Sequence, residues 1–427
     1  MKQVLMVAYY FPPMGGSGVQ RPLKFAKYLP HFGWQPTVLA PESGSYRTFD
    51  ASLENELDNS RIQVKRVGAG TPFHKYRSFT GRLASQNEGL QRFIRWLATF
   101  VYFPDNKKGW IRPAVEKGLE YIKNNRVDLL YATGPPFSNF VIAQKLKEHT
   151  GIPLVLDYRD DMVDGHLVVA ATPWHRKKLQ RLEHNILKQV EAVTAINDTM
   201  LLGIQHRSPD IDTAIYETIE QGYDPADFGT RANGKPWPSD RIHFLYSGIF
   251  YDKNQPDIFL KAMAEALEEK PAMKEQVALH FQGLLTGRHR KYIQDLGLDG
   301  QVEYHGYLSH DEAVSNLLKA DVLWLIANFS RQTGQITTGK LFEYLGASKP
   351  VIALVDTQGE AARILGRTKA GYVADPGDRD AIKQMLLSIF DNWAAGSLPM
   401  PDKEEVKQYD RKNLTGKLAH LFERVVD

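Results

Sequence analysis

The stretch 337–355, TTGKLFEYLGASKPVIALV, decides how the rest of the sequence is read. It gives a polar turn, a short helix, a second turn and a buried strand. Thr337, Thr338 and Gly339 form the first turn, and Gly339 lets backbone approach a ligand closely. Leu341, Phe342 and Leu345 fall at helical spacing within Lys340 to Leu345, and Gly346 and Pro350 end the helix. VIALV is a continuous apolar run between breakers, as expected of a strand in a parallel sheet. A helix start offers free N–H groups and partial positive charge, which suit a phosphate. Lys340 adds a full charge in a first turn where the helix dipole disfavours it, so an anion would give it a reason. Glu343, one turn on, is well placed to accept hydrogen bonds from a ribose. On the residues alone, a surface Lys and Glu on an ordinary helix fit the stretch equally well.

At 427 residues the chain is long enough for two domains. A hydrophobic fraction of 43% and a charged fraction of 24% describe an ordinary globular protein. The formal net charge of +3 is too small to argue for nucleic acid. The absence of cysteine excludes disulfides and thiol chemistry and fits a reducing compartment. The apolar opening MKQVLMVAYYF lacks a small-residue cleavage site and runs into a Pro-Pro turn, so it reads as a first buried strand. No apolar run approaches the roughly 20 residues that span a bilayer. A cytoplasmic protein is expected, with the inner face of the membrane as a place it could work.

Taken in order, strand Gln3 to Phe11 ends at PPMGGSG, and a helix from about Val19 to Phe32 follows, with Arg21 and Pro22 in its first turn. From Arg61 to Arg126 the chain is strongly basic. Within it LQRFIRWLATFVYF has helical spacing with Arg92 and Arg95 interleaved, which suits an anionic membrane surface or, more simply, a helix packed on the sheet. Strand 127–133 runs into GPPFSN. Strand 152–158 runs into DYRDDMVDG, where Asp157, Asp160, Asp161 and Asp164 surround Arg159. Such a cluster fits an acid–base pair or an ion-pair network, and its spacing is not that of a metal site. EQGYDPADF leads into a Gly- and Pro-rich linker, after which strands and helices alternate again to the end of the chain.

The stretch TGKLFEYLGASKPVIA resembles the donor-sugar-nucleotide motif of glycosyltransferase family 4. YFPPMGGSGVQRPLKFAKYLPHFGWQPTVLA resembles the opening of its bacterial members. The resemblance covers essentially the whole chain. It implies an α/β GT-B fold, two doubly wound Rossmann-like domains facing a central cleft. The expected bounds are 1–224 for an acceptor-side domain, 225–240 for a linker and 241–402 for a donor domain. A last helix at 403–427 is expected to pack back on the first domain. The resemblance further implies that Glu343 binds the ribose, and that Thr338, Gly339 and Lys340 hold the diphosphate. Gln335 stands where the family signature has its first Glu, the residue that contacts the sugar. Gly16 is expected to approach the donor phosphate and sugar. Ser247 and Gly248 match the second phosphate loop, where Lys253 is the basic residue in reach and the usual Arg is missing. Tyr307 and Leu308 are expected beside the nucleobase. Asp157, Arg159 and Asp160 match the family's Asp-x-Arg-Asp loop on the acceptor side, although an Asp157–Arg159 ion pair of purely structural kind fits as well.

The function implied is retaining transfer of a sugar from a UDP- or GDP-sugar to a glycan or lipid-linked acceptor, in cell-surface polysaccharide or glycolipid synthesis. Catalytic roles are expected for Lys340, Lys253 and Asp160, with no metal and no cofactor. The basic segment 61–126 is the expected place for any peripheral membrane contact, and nucleic acid is not an expected partner. Two other functions fit the same residues: a sugar-nucleotide epimerase, and a non-catalytic sugar-nucleotide-binding subunit.

Overall fold

The structure, a computed structural model, describes residues 1–42, 49–58, 62–68, 102–165, 172–212, 214–229, 236–250, 254–327 and 338–427. The helix expected at 90–101, with Arg92 and Arg95, lies outside these residues, as do Lys253, Gln335 and Thr337. The chain divides into two units, Met1–Glu220 with Leu414–Asp427, and Gln221–Asn413.

The first unit is built on seven parallel strands: β1 (Lys2–Val7), β2 (Trp34–Pro41), β3 (Gln63–Val67), β4 (Leu129–Gly134), β5 (Leu154–Tyr158), β6 (Ala192–Ala195) and β7 (Ile215–Thr218). Their order is β3-β2-β1-β4-β5-β6-β7, so the chain reverses its direction of travel between β1 and β4. Strand residues alternate between two apolar layers. Leu5 and Val7 enter one with Leu130 and Leu156, while Val4 and Met6 enter the other with Val38 and Tyr131. This two-sided burial is why the strands read as continuous apolar runs.

The helix Arg411–Val426 supplies part of the second layer. Leu414, Leu418, Leu421 and Phe422 repeat at helical spacing and are buried with Leu23, Phe25 and Trp34. Phe422 meets the Trp34 ring edge-on at 5.2 Å. Removing one such leucine side chain would cost about 2–5 kcal/mol. The final helical stretch is not continuous: a short helix Lys403–Lys407 precedes it, separated by Gln408–Asp410.

The second unit carries six parallel strands: β8 (Ile242–Ile249), β9 (Val277–Leu284), β10 (Val302–Gly306), β11 (Val322–Ile326), β12 (Val351–Leu354) and β13 (Gly371–Ala374). Their order is β10-β9-β8-β11-β12-β13, with the reversal between β8 and β11. Phe244, Tyr246 and Trp324 face one layer, and Leu245, Leu323 and Leu325 the other. Both units are therefore doubly wound, and each opens its crevice beyond the carboxyl ends of the strands at its reversal. Among the described residues no helix is long and apolar enough to cross a membrane.

Candidate active site

In the second unit the crevice lies where β8 and β11 part. β8 ends in Tyr246, Ser247 and Gly248, and the chain after β11 returns as the helix Gly339–Gly346 with Thr338 at its N-cap. The helix is pinned there through its own Tyr344. The Tyr344 hydroxyl accepts the Ser247 N–H at 3.1 Å and donates to the Trp324 carbonyl at 3.3 Å. One side chain thus joins the helix to β8 and β11.

Lys340 in the first turn reaches back over β8. Its Nζ donates to the Tyr246 hydroxyl at 3.1 Å and lies 4.5 Å from the centre of that ring. Gly248 makes room for it. A Cβ at this position would stand 2.1 Å from Lys340 Nζ and 2.5 Å from Cε, and Gly248 adopts φ +138°. Only glycine fits both the angle and the neighbour. Gly283 on β9 is needed for a related reason, since a Cβ there would come within 2.0 Å of the Gly248 carbonyl oxygen.

Burial pushes the Lys340 amine down from its ordinary 10.5 to about 8, and Glu343 opposes the shift. Aromatic rings supply the low-dielectric wall: Tyr246 stacks on Phe250 at 4.1 Å and lies 4.7 Å from Trp324 at a tilt of 45°. A cation is thereby kept in an apolar setting beside a helix start, where an anion would stabilise its charged form.

The helix start itself is open. Thr338 does not cap it with its side chain, and the buried Thr338 hydroxyl has no hydrogen-bond partner among the described residues. A Cβ on Gly339 would meet nothing within 4 Å. A helix start without a side-chain cap, an unpartnered hydroxyl and an ammonium together make a place for a phosphate.

Glu343 follows one turn later, largely buried. Burial raises its carboxyl, while His310, Arg411 and Lys340 pull it down. Asp227, 3.5 Å from His310, adds a second carboxylate to that group. A diol donating two hydrogen bonds to Glu343 would favour its charged form.

The structure brings Ser247, Gly248, Thr338, Gly339, Lys340 and Glu343 together. Tyr307 and Leu308 are carried by a different part of the sheet. These two follow β10, which stands two strands away from β8, and the Tyr307 ring is 83% exposed.

In the first unit, Gly16 sits at the N-cap of the helix Ser17–Tyr28 with φ 110°, and a Cβ on it would meet nothing within 4 Å. Asp157 is corrected by the structure. It is fully buried and bonded to Arg21, not to Arg159. Arg21 Nε and Nη2 donate to its two oxygens at 3.0 and 2.7 Å. The Thr133 and Thr194 hydroxyls add bonds of 2.7 and 2.8 Å. Burial works to raise Asp157, yet the Arg21 guanidinium and these donors hold it below the usual carboxylate range. A carboxylate that accepts four hydrogen bonds from three side chains and has no exposed surface has nothing to offer an acceptor hydroxyl; it bolts β4, β5 and β6 to the first helix.

Arg159 does other work. Its guanidinium donates to the Gly18 and Pro135 carbonyls, tying the glycine-rich turn to the turn after β4. Asp160, also buried, accepts the Asp161 N–H at 3.0 Å. Asp161 and Asp164 are engaged by Arg207 at 2.9 and 3.4 Å, and Asp164 by Arg176 at 2.8 Å. The acidic loop is thus cross-linked by arginines. Sequence reasoning missed Arg21 as the partner of Asp157; Arg21 is the fifth residue of the helix Ser17–Tyr28, and nothing in the sequence links it to a position 136 residues away.

Residues 229–412 match the family described as glycosyl transferases group 1. No curated protein matches the sequence. Solved structures match along their whole length. Sucrose-phosphate synthase from Thermosynechococcus elongatus is 14% identical, with a TM-score of 0.66 and 99% of each chain covered. Anabaena HepE in complex with UDP-glucose is 15% identical, with a TM-score of 0.63 and coverage of 99% of this chain and 100% of that one. An S. aureus TarM mutant in complex with fondaparinux, alpha-GlcNAc-glycerol and UDP is 11% identical, with a TM-score of 0.61 and coverage of 99% and 100%. At such identities the likeness is one of fold, and the fold is GT-B.

Proposed function

We propose, from the premise that this chain carries a glycosyl transferases group 1 domain in a GT-B fold, that it is a retaining, metal-independent glycosyltransferase of family 4. It takes a sugar from a UDP- or GDP-sugar and passes it to a glycan or lipid-linked acceptor in cell-surface polysaccharide or glycolipid synthesis. The observation that carries this reading is Lys340 at the open start of the helix Gly339–Gly346, beside the unpartnered Thr338 hydroxyl.

Breaking the bond between sugar and diphosphate leaves negative charge on the departing phosphate. A helix start and an ammonium aimed there stabilise that charge more in the transition state than in the ground state. Glu343, one turn along the same helix, holds the ribose. Lys253 shares the diphosphate, and Gln335 contacts the sugar. With the nucleophile and the leaving group on one face of the sugar, the departing phosphate accepts the proton of the acceptor hydroxyl. No protein nucleophile is then required. Asp160, after β5, is the acceptor-side carboxylate of this reading.

The reading is tested by Lys340→Ala. It should slow transfer roughly 10²-fold, as the loss of one oxyanion donor does. Unchanged kcat and KM would remove Lys340 from the chemistry.

A further inference from the structure

Three histidines lie side by side across the second unit's sheet: His243 on β8, His280 on β9 and His305 on β10. Their hydrogen bonds have a direction that one backbone group decides. The Pro238 carbonyl can only accept, and it lies 2.8 Å from His243 Nε2, so that nitrogen carries the proton. His243 Nδ1 is then a lone pair, and it accepts from His280 Nε2 at 2.8 Å. His280 Nδ1 is in turn a lone pair. It points toward His305 Nε2 at 3.0 Å and lies 3.5 Å from Glu303 Oε2.

We propose that His280 Nδ1, Glu303 Oε2 and His305 Nε2 form a zinc site, with water in the fourth position. The three ligand atoms lie within 4.8 Å of one another, the one such group among the described residues. Zinc–ligand bonds of about 2.0–2.1 Å in a tetrahedron set ligand atoms about 3.3–3.4 Å apart. The 3.0 Å and 3.5 Å edges bracket that value. Glu303 is about half exposed and free to close the remaining gap by rotating. On binding, His305 moves its proton from Nε2 to Nδ1, so no proton need be released.

The surroundings have the form that a metal-bound imidazole needs. A ligating histidine is oriented by donating its other N–H to a fixed acceptor. His280 does so to His243, which is itself anchored on Pro238. Trp237 stacks flat on His280 at 3.7 Å and 3°, and its plane lies 9° from that of His305. It therefore fixes the ring planes without covering the in-plane lone pairs. Arg241 stands 4.0 Å from the other Glu303 oxygen, Oε1, and leaves Oε2 to the metal. The chain has no cysteine, so no thiolate competes for the ion. None of these ligands belongs to the phosphate site around Lys340, and the inference stands apart from the sugar-transfer reading.

The test is calorimetric titration of the chelator-treated full chain with zinc chloride, together with the visible spectrum after cobalt(II) substitution. One zinc per chain is expected, with the intense cobalt bands of a four-coordinate site. Glu303→Gln, on the surface, should keep the fold and the melting temperature of the metal-free protein. It should weaken zinc at least 10-fold, and His305→Ala should do so at least as strongly, since even outer partners of metal ligands are worth about 10–100-fold. No binding at millimolar zinc would overturn the proposal. So would binding that survives both substitutions unchanged.

Discussion

Replacing Gly248 by alanine should disarm the phosphate site through Lys340, without touching Lys340 itself. The new Cβ would stand 2.1 Å from Lys340 Nζ, and an ordinary contact begins at 3.4 Å, so the amine must retreat by 1.3 Å (3.4 − 2.1). The amine is the far end of a flexible side chain, so it yields before the backbone does. A misplacement of about 1 Å in a catalytic group can lower the rate roughly 10²-fold, or about 2.7 kcal/mol. The backbone adds a separate effect. A non-glycine residue at φ +138° is strained by about 1–3 kcal/mol, which lowers the melting temperature by about 2–4 °C for each kcal/mol. The assay is release of nucleoside diphosphate from the donor in the presence of acceptor, with melting curves to confirm folding. Gly248→Ala and Lys340→Ala should each slow transfer to a similar extent, and the double variant should be no slower than the worse single, because both remove one amine from one place. A folded Gly248→Ala protein at full rate would refute the reasoning, as would a double variant whose loss is the product of the two.

Glu343→Ala should weaken nucleotide binding by about 1–3 kcal/mol with kcat less affected; titration calorimetry with the nucleoside diphosphate reads it, and unchanged affinity would remove the ribose role. Arg21→Ala should act on stability rather than on nucleotide affinity, since it strands the fully buried Asp157. Breaking such a pair costs about 3–5 kcal/mol, to be read by chemical denaturation. The pH dependence follows from Lys340, whose amine sits at about 8 in the folded chain against 10.5 ordinarily. Diphosphate affinity should fall as pH rises through about 8, and Lys340→Ala should flatten the profile. Between those two values the native state binds fewer protons than the unfolded chain, so this group's contribution to stability rises with pH across that window, the opposite trend to binding.

Much of this was legible in the sequence, for identifiable reasons. The helix Gly339–Gly346 announces itself through a breaker, apolar spacing and a lysine in a place the dipole disfavours. The doubly wound sheets show as apolar runs because both faces of each strand are buried. What the sequence concealed are contacts between distant positions. Arg21 and Asp157 are 136 residues apart, and only the fold makes them partners. The edge strand β3, QVKRV, has no apolar run because it is only partly buried. The helix Ile111–Asn124 packs Ala114 and Gly118 inward, but Arg112, Lys117 and Lys123 dominate the reading of that basic segment. Tyr307 is exposed because it follows an edge strand, a placement that the sequence alone does not reveal. The three histidines are spread over a separation of 62 positions (305 − 243), and only the order β8, β9, β10 aligns them.

The central claim is that the second unit holds a nucleoside diphosphate between Lys340 and Glu343. Its most direct test is a melting-temperature panel with UDP, GDP, ADP, TDP and NAD, since a ligand that binds only the native state raises the transition by mass action. The account predicts a rise with a nucleoside diphosphate that Lys340→Ala and Glu343→Ala both diminish. No rise with any diphosphate, or a rise with NAD alone, would contradict it.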